Sequence, residues 1–153
     1  MAESVRRRSP PLYPPGMPQR TSFVTRALGP LMSTWLPVVA WAALIFALSA
    51  QPDLRLAQDA LVDFVIRKTG HMAIFGILAL MLWLALVTTT ALRAPWAWAL
   101  AITVLYAITD ELHQGFVAGR SASAGDVGID AIGAVLAVAV GSVLVVRSRT
   151  PRA

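Results

Sequence analysis

Four apolar runs divide the chain, at residues 33–49, 69–92, 95–113 and 126–146. Each has about 17–24 residues, the length a helix needs to cross roughly 30 Å of hydrocarbon. Helices are required, because lipid offers the backbone no other partners and the runs lack the alternation of barrel strands. Pro37 falls in the first turn of the first run, where its missing N–H is tolerated, and Pro95 opens the third. Between the first two runs, Leu54, Ala57, Leu61, Phe64 and Val65 recur at helical spacing, with Arg55, Gln58, Asp59 and Asp63 on other faces. Pro52-Asp53 supplies a start signal. The pattern over 51–68 predicts a short amphipathic helix on the outer membrane surface. The expected fold is therefore all-α: a polytopic bundle of four transmembrane helices plus that surface helix. The domain spans 31–147, between a disordered basic tail at 1–30 and a basic tail at 148–153.

Within the runs, polar residues fall on stripes. Lys68, His71, Phe75, Leu78 and Leu82 share one face of the second run. Thr103, Tyr106, Asp110, His113 and Gln114 share a face of the third. In the fourth, Asp126 and Asp130 lie on the same stripe as Gly133, Ala137 and Gly141, small residues that let membrane helices approach closely. The three stripes predict one polar cluster in the outer half of the bundle: Lys68, His71, Asp110, Glu111, His113, Gln114, Arg120, Asp126 and Asp130.

Composition agrees with a membrane protein. Of 153 residues, 57% are hydrophobic and 14% charged, against about 25% charged in a soluble domain. The net charge of +5 does not indicate nucleic acid, because the basic residues sit at the ends of apolar runs and not in a patch. Cysteine is absent, which excludes disulfides and thiolate chemistry. Residues 1–30 hold six of the ten prolines and five arginines, a composition that favours disorder. They make a poor signal peptide, although the small residues at 47–50 leave processing open. Residues 1–30, 88–94 and 147–153 carry nine of the 13 Lys and Arg and one acid, Glu3. By the positive-inside rule both termini are cytoplasmic, and the 49–68 and 113–125 links face outward.

Each polar group has a plain reading beside a chemical one. Lys68 at a membrane boundary can snorkel to the headgroups. Ser123-Ala-Gly-Asp126 is a capping-box pattern. Arg120 is either a structural ion-pair partner of Asp110, Glu111, Asp126 and Asp130, or a fork for phosphate or carboxylate. His71 and His113 with Asp110 and Glu111 would suit zinc by ligand type. Their spacing is no ligand motif, and Lys68 and Arg120 compete for the carboxylates, so no metal and no cofactor are expected.

Three segments carry a family resemblance. Ser49-Ala50-Gln51-Pro52 follows the first apolar run, and Lys68-x-x-His71-x-x-x-Phe75-x-x-Leu78 opens the second. The most specific is Thr109-Asp110-Glu111-x-His113-Gln114-x-Phe116-x-x-Gly119-Arg120-x-x-Ser123-x-x-Asp126-x-x-x-Asp130-x-x-Gly133. Together they resemble the VanZ-like family of bacterial membrane proteins over roughly residues 36–146. The resemblance implies a small, helical, multi-pass protein of the bacterial plasma membrane. The family is named for a member linked to teicoplanin resistance, and the resemblance implies no settled reaction.

Three classes of function follow. In the first, the outward cluster binds a lipid headgroup, a lipid-linked wall precursor or a glycopeptide, with Arg120 and Lys68 on the anionic group. In the second, an enzyme acts on such a lipid, with His71 or His113 as general base and Asp110 or Glu111 orienting it. Covalent catalysis would have to use a carboxylate or a histidine, since no cysteine or nucleophile-elbow serine is present. A transporter is disfavoured, because a four-helix protomer is narrow and no broken-helix pair interrupts the runs. The binding class requires the fewest unobserved parts.

Overall fold

The computed structural model describes residues 23–52 and 56–149, and every regular element among them is helical. There are four: α1 (Phe23–Ser49), α2 (Ala60–Thr89), α3 (Pro95–Gln114) and α4 (Ala124–Arg149). Apolar stretches long enough to cross a bilayer occur at Met32–Ser49, Ala60–Thr89 and Ala124–Leu144. Large apolar side chains such as Leu36, Leu84, Leu105 and Val140 are exposed on the outer faces. Water would not tolerate so continuous an apolar surface, whereas lipid tails would. The chain is a multi-pass membrane protein.

The elements differ from the expected ones at their ends. The 51–68 stretch is not a separate surface helix. Asp59 caps α2, accepting from the backbone N–H groups of Leu61 and Val62 at 2.9 Å each, and residues 60–68 are its first turns. The connection is folded onto α2 by Asp63, which is buried and accepts from the Leu56 N–H at 2.6 Å and the Ala57 N–H at 3.3 Å. Asp53, part of the expected start signal, and Arg55 lie outside the described residues. α1 begins at Phe23, so Pro30 and Pro37 are both interior to it and not in a first turn. Each proline removes one backbone bond locally, a loss that membrane helices accommodate. α4 runs on to Arg149, past the expected boundary at 147. The disorder expected for the amino-terminal tail concerns residues that, up to 22, lie outside the described part.

The centre of the bundle is α2. Its most extensive partner is α4, and α3 packs against both. α1 packs on α2 and α3 and does not reach α4. The core joins Phe75, Leu78 and Leu82 of α2 to Val38 and Ile45 of α1 and Ala99 and Ala107 of α3. Where α2 meets α4 the backbones nearly touch: a Cβ on Gly133 would lie 2.2 Å from the Met72 carbonyl oxygen. Only glycine allows that approach. Gly141 lies against the side chains of Leu80 and Trp83, a looser contact.

Polar contacts bind α1 to the rest. The Trp35 indole donates to Thr89 Oγ1 at 3.1 Å, and that of Trp41 to the Ile74 carbonyl at 2.9 Å. The Tyr106 hydroxyl donates to the Ala42 carbonyl at 2.6 Å, and Ser49 Oγ to Asp110 Oδ2 at 2.8 Å. In hydrocarbon the unmade alternative to each is an unsatisfied polar group.

Candidate functional site

The end of α1, the start of α2, the end of α3 and the start of α4 meet at one end of the bundle, and the polar stripes converge there. Asp110 is 2% exposed. Its Oδ2 accepts from Ser49 Oγ and from Gln114 Nε2, both at 2.8 Å. Gln114 Nε2 also lies 3.4 Å from Ser49 Oγ, closing a buried three-residue knot between α1 and α3. Helical spacing explains the pair on α3, since residues four apart share a face.

The loop from α3 to α4 is bound from both sides. Gly119, at φ +78°, turns the chain in a region that side chains rarely enter. Next to it, Arg120 Nη1 donates to the Ser49 carbonyl at 3.3 Å. At the start of α4, Ser123 Oγ accepts from the Gly125 N–H at 3.2 Å, as an N-cap does. The reciprocal half of the expected capping box comes from a different helix. Glu111 Oε1, not Asp126, accepts from the Ser123 N–H, at 2.5 Å. Asp126 is thereby free to form an ion pair with Lys68 of α2. Lys68 also lies over the Phe64 ring, 5.4 Å from its centroid.

One turn further along both helices, His71 Nδ1 approaches Asp130 Oδ1 at 3.5 Å. Asp130 is 2% exposed, and its Oδ1 makes no hydrogen bond. Asp110 Oδ1 and His113 Nε2 are likewise buried without a partner. His113 stands apart from the ion pairs, stacked on Phe46 of α1 with centroids 4.2 Å apart.

The structure therefore brings Lys68, His71, Asp126 and Asp130 together across α2 and α4, and Asp110 and Gln114 together with Ser49. It does not place Arg120 on a carboxylate: among the described residues Arg120 bonds only to the Ser49 carbonyl. Nor do any three His, Asp or Glu side chains among those residues converge as a metal site would require. Arg67 is a residue the sequence pattern did not single out. It pairs with Asp63 at 2.8 Å while remaining 44% exposed. The i, i+4 spacing from Asp63 to Arg67 was visible, but it reads as an ordinary helix-surface pair.

Two cavities flank this polar end. The larger, about 190 Å³, is bounded by Arg67, His71 and Arg120 and by the apolar side chains of Leu48, Leu56, Ile66 and Ile74. The smaller, about 100 Å³, shares Arg67, His71 and Arg120 and adds Lys68, Asp126 and Asp130. The three shared side chains, two of them guanidinium groups, stand between the cavities: one side is largely aliphatic and the other carries the carboxylates.

The family model described as VanZ/LLP1 matches residues 17–145. No curated protein and no solved structure matches the chain. With the match covering most of its length, the chain belongs to the VanZ/LLP1 family.

Proposed function

We propose that this VanZ/LLP1 protein binds the phosphate of a membrane lipid or lipid-linked wall precursor at the outward end of a four-span bundle. Three helices already carry sufficient apolar length. The fourth, α3, joins the two ends of the bundle: it starts beside the end of α2 and finishes in the Ser49–Asp110 knot. Its 20 residues extend about 30 Å. The positive charge at both tails and at Arg93 supports cytoplasmic termini, with the polar end on the extracytoplasmic side.

One observation carries the binding assignment. Arg120, bonded among the described residues only to a carbonyl, and Arg67 face a cavity lined by His71, Ser49 and the aliphatic side chains of Leu48, Leu56, Ile66 and Ile74, with no carboxylate. A guanidinium fork beside aliphatic walls matches a phosphate that carries an apolar chain. Lys68, expected to share this role, is engaged by Asp126 and does not border this cavity, whereas Arg67 borders it while paired with Asp63. Thermal shift and native mass spectrometry with short-chain phosphatidic acid test the proposal. Arg120→Ala should weaken binding at least about tenfold, the scale of one charge-assisted bond. Undiminished affinity in a folded Arg120→Ala variant refutes it.

A second reading, an enzyme acting on the same lipid, draws on the three buried atoms without partners, Asp110 Oδ1, His113 Nε2 and Asp130 Oδ1. Such groups cost stability and are retained where they serve a purpose. Asp130, rather than Asp110 or Glu111, is the carboxylate beside a histidine. Loss of product formation with lipid binding intact in His71→Ala or His113→Ala would favour this reading.

A further inference from the structure

The two cavities differ in what they offer on either side of a shared wall. Arg67, His71 and Arg120 border both. On one side stand Leu48, Leu56, Ile66 and Ile74. On the other stand Asp126 and Asp130, with Lys68. A phosphate held at the shared wall has ester oxygens that point to opposite sides. A monoester would use one side only, and would leave its second negative charge facing two carboxylates.

The two acids are not equivalent. Asp126 is neutralised by Lys68. Asp130 is buried to 2% exposure, and its Oδ1 has no hydrogen-bond partner; the nearest donor, His71 Nδ1, is 3.5 Å away. A carboxylate oxygen withdrawn from water and left unbonded is expensive. The cost is removed when a ligand brings a donor to it.

We infer that the ligand is a phosphodiester, or the corresponding diphosphate, with an apolar chain on one side and a hydrogen-bond-donating headgroup on the other, and that Asp126 and Asp130 select that headgroup. The inference rests on the phosphate reading above and adds the second half of the ligand. An ammonium or a hydroxylated headgroup meets the requirement. A quaternary ammonium, which has no N–H, does not. Aminophospholipids and sugar-bearing lipid-linked diphosphates both present this chemistry.

The test uses the full chain in detergent, with native mass spectrometry and thermal shift on lipids of matched acyl chains. Phosphatidylethanolamine should bind about tenfold more tightly than phosphatidylcholine, from which it differs by N–H in place of methyl groups, as one charge-assisted hydrogen bond implies. Asp130→Asn, and to a smaller degree Asp126→Asn, should bring that ratio towards one and should strengthen phosphatidic acid binding, whose second negative charge then faces one carboxylate fewer. Should Asp130→Asn fail to fold, the parent ratio and Asp126→Asn decide. Equal binding of the two lipids by the parent, with phosphatidic acid bound, overturns the inference and spares the phosphate reading. No binding of any phosphate lipid overturns both. In a further arm, polyprenyl diphosphate sugar is set against phosphatidylethanolamine. The tighter of the two identifies the source of the headgroup.

Discussion

Glu111 does at the start of α4 what the sequence pattern assigns to Asp126. It accepts from the Ser123 N–H across the α3–α4 turn, and Asp126 pairs with Lys68 instead. No local pattern contains that exchange, because it depends on how the loop returns α4 to α3. Glu111→Ala should lower stability by about 1–2 kcal/mol, the usual cost of losing a cap, read as a drop in melting temperature in detergent. The Ser49–Asp110–Gln114 knot gives a second expectation. Ser49→Ala and Gln114→Ala each leave the buried Asp110 short of a donor, at about 1–3 kcal/mol. Because they share Asp110 their effects should not add, so a double variant that equals the sum of the singles refutes the shared-acceptor account. The identities of the polar residues at this end were legible in the chain. Their pairings were not, and Arg67 was obscured by its simple spacing from Asp63.

At the scale of elements, Gly133, Ala137 and Gly141 on the stripe below Asp126 and Asp130 made it legible that α4 packs closely on another helix, but not that the partner is α2. It yields a paired expectation. Gly133→Ala places a methyl group 2.2 Å from the Met72 carbonyl oxygen and should destabilise by about 1–3 kcal/mol, as overpacking does. Gly128→Ala, whose added Cβ would meet nothing within 4 Å, should be neutral or stabilising through helix propensity. Similar melting temperatures for the two variants would refute the close crossing. Helix ends were far less legible. Pro30 reads as a breaker, yet α1 passes through it. The 51–68 stretch has a genuine amphipathic spacing. Only Asp59 and Asp63, binding backbone amides, reveal that its second half belongs to α2.

For the whole molecule, the absence of cysteine is an experimental advantage. Phe116, 90% exposed in the loop at the polar end, and Leu92, in the link at the opposite end, can each be replaced singly by cysteine. An impermeant maleimide should label Phe116→Cys on intact cells and Leu92→Cys only after permeabilisation; the reverse pattern would invert the proposed topology. The polar clasps on α1 have a further bearing on how the protein is made. Trp35, Trp41, Ala42 and Ser49 find their partners on Thr89, Ile74, Tyr106 and Asp110, all synthesised later. The first helix to leave the ribosome therefore waits in the bilayer with its indoles and its serine unmatched until α2 and then α3 arrive. Its contacts are complete only once α3 has been made, and during that interval it depends on lipid, or on the insertion machinery, for company.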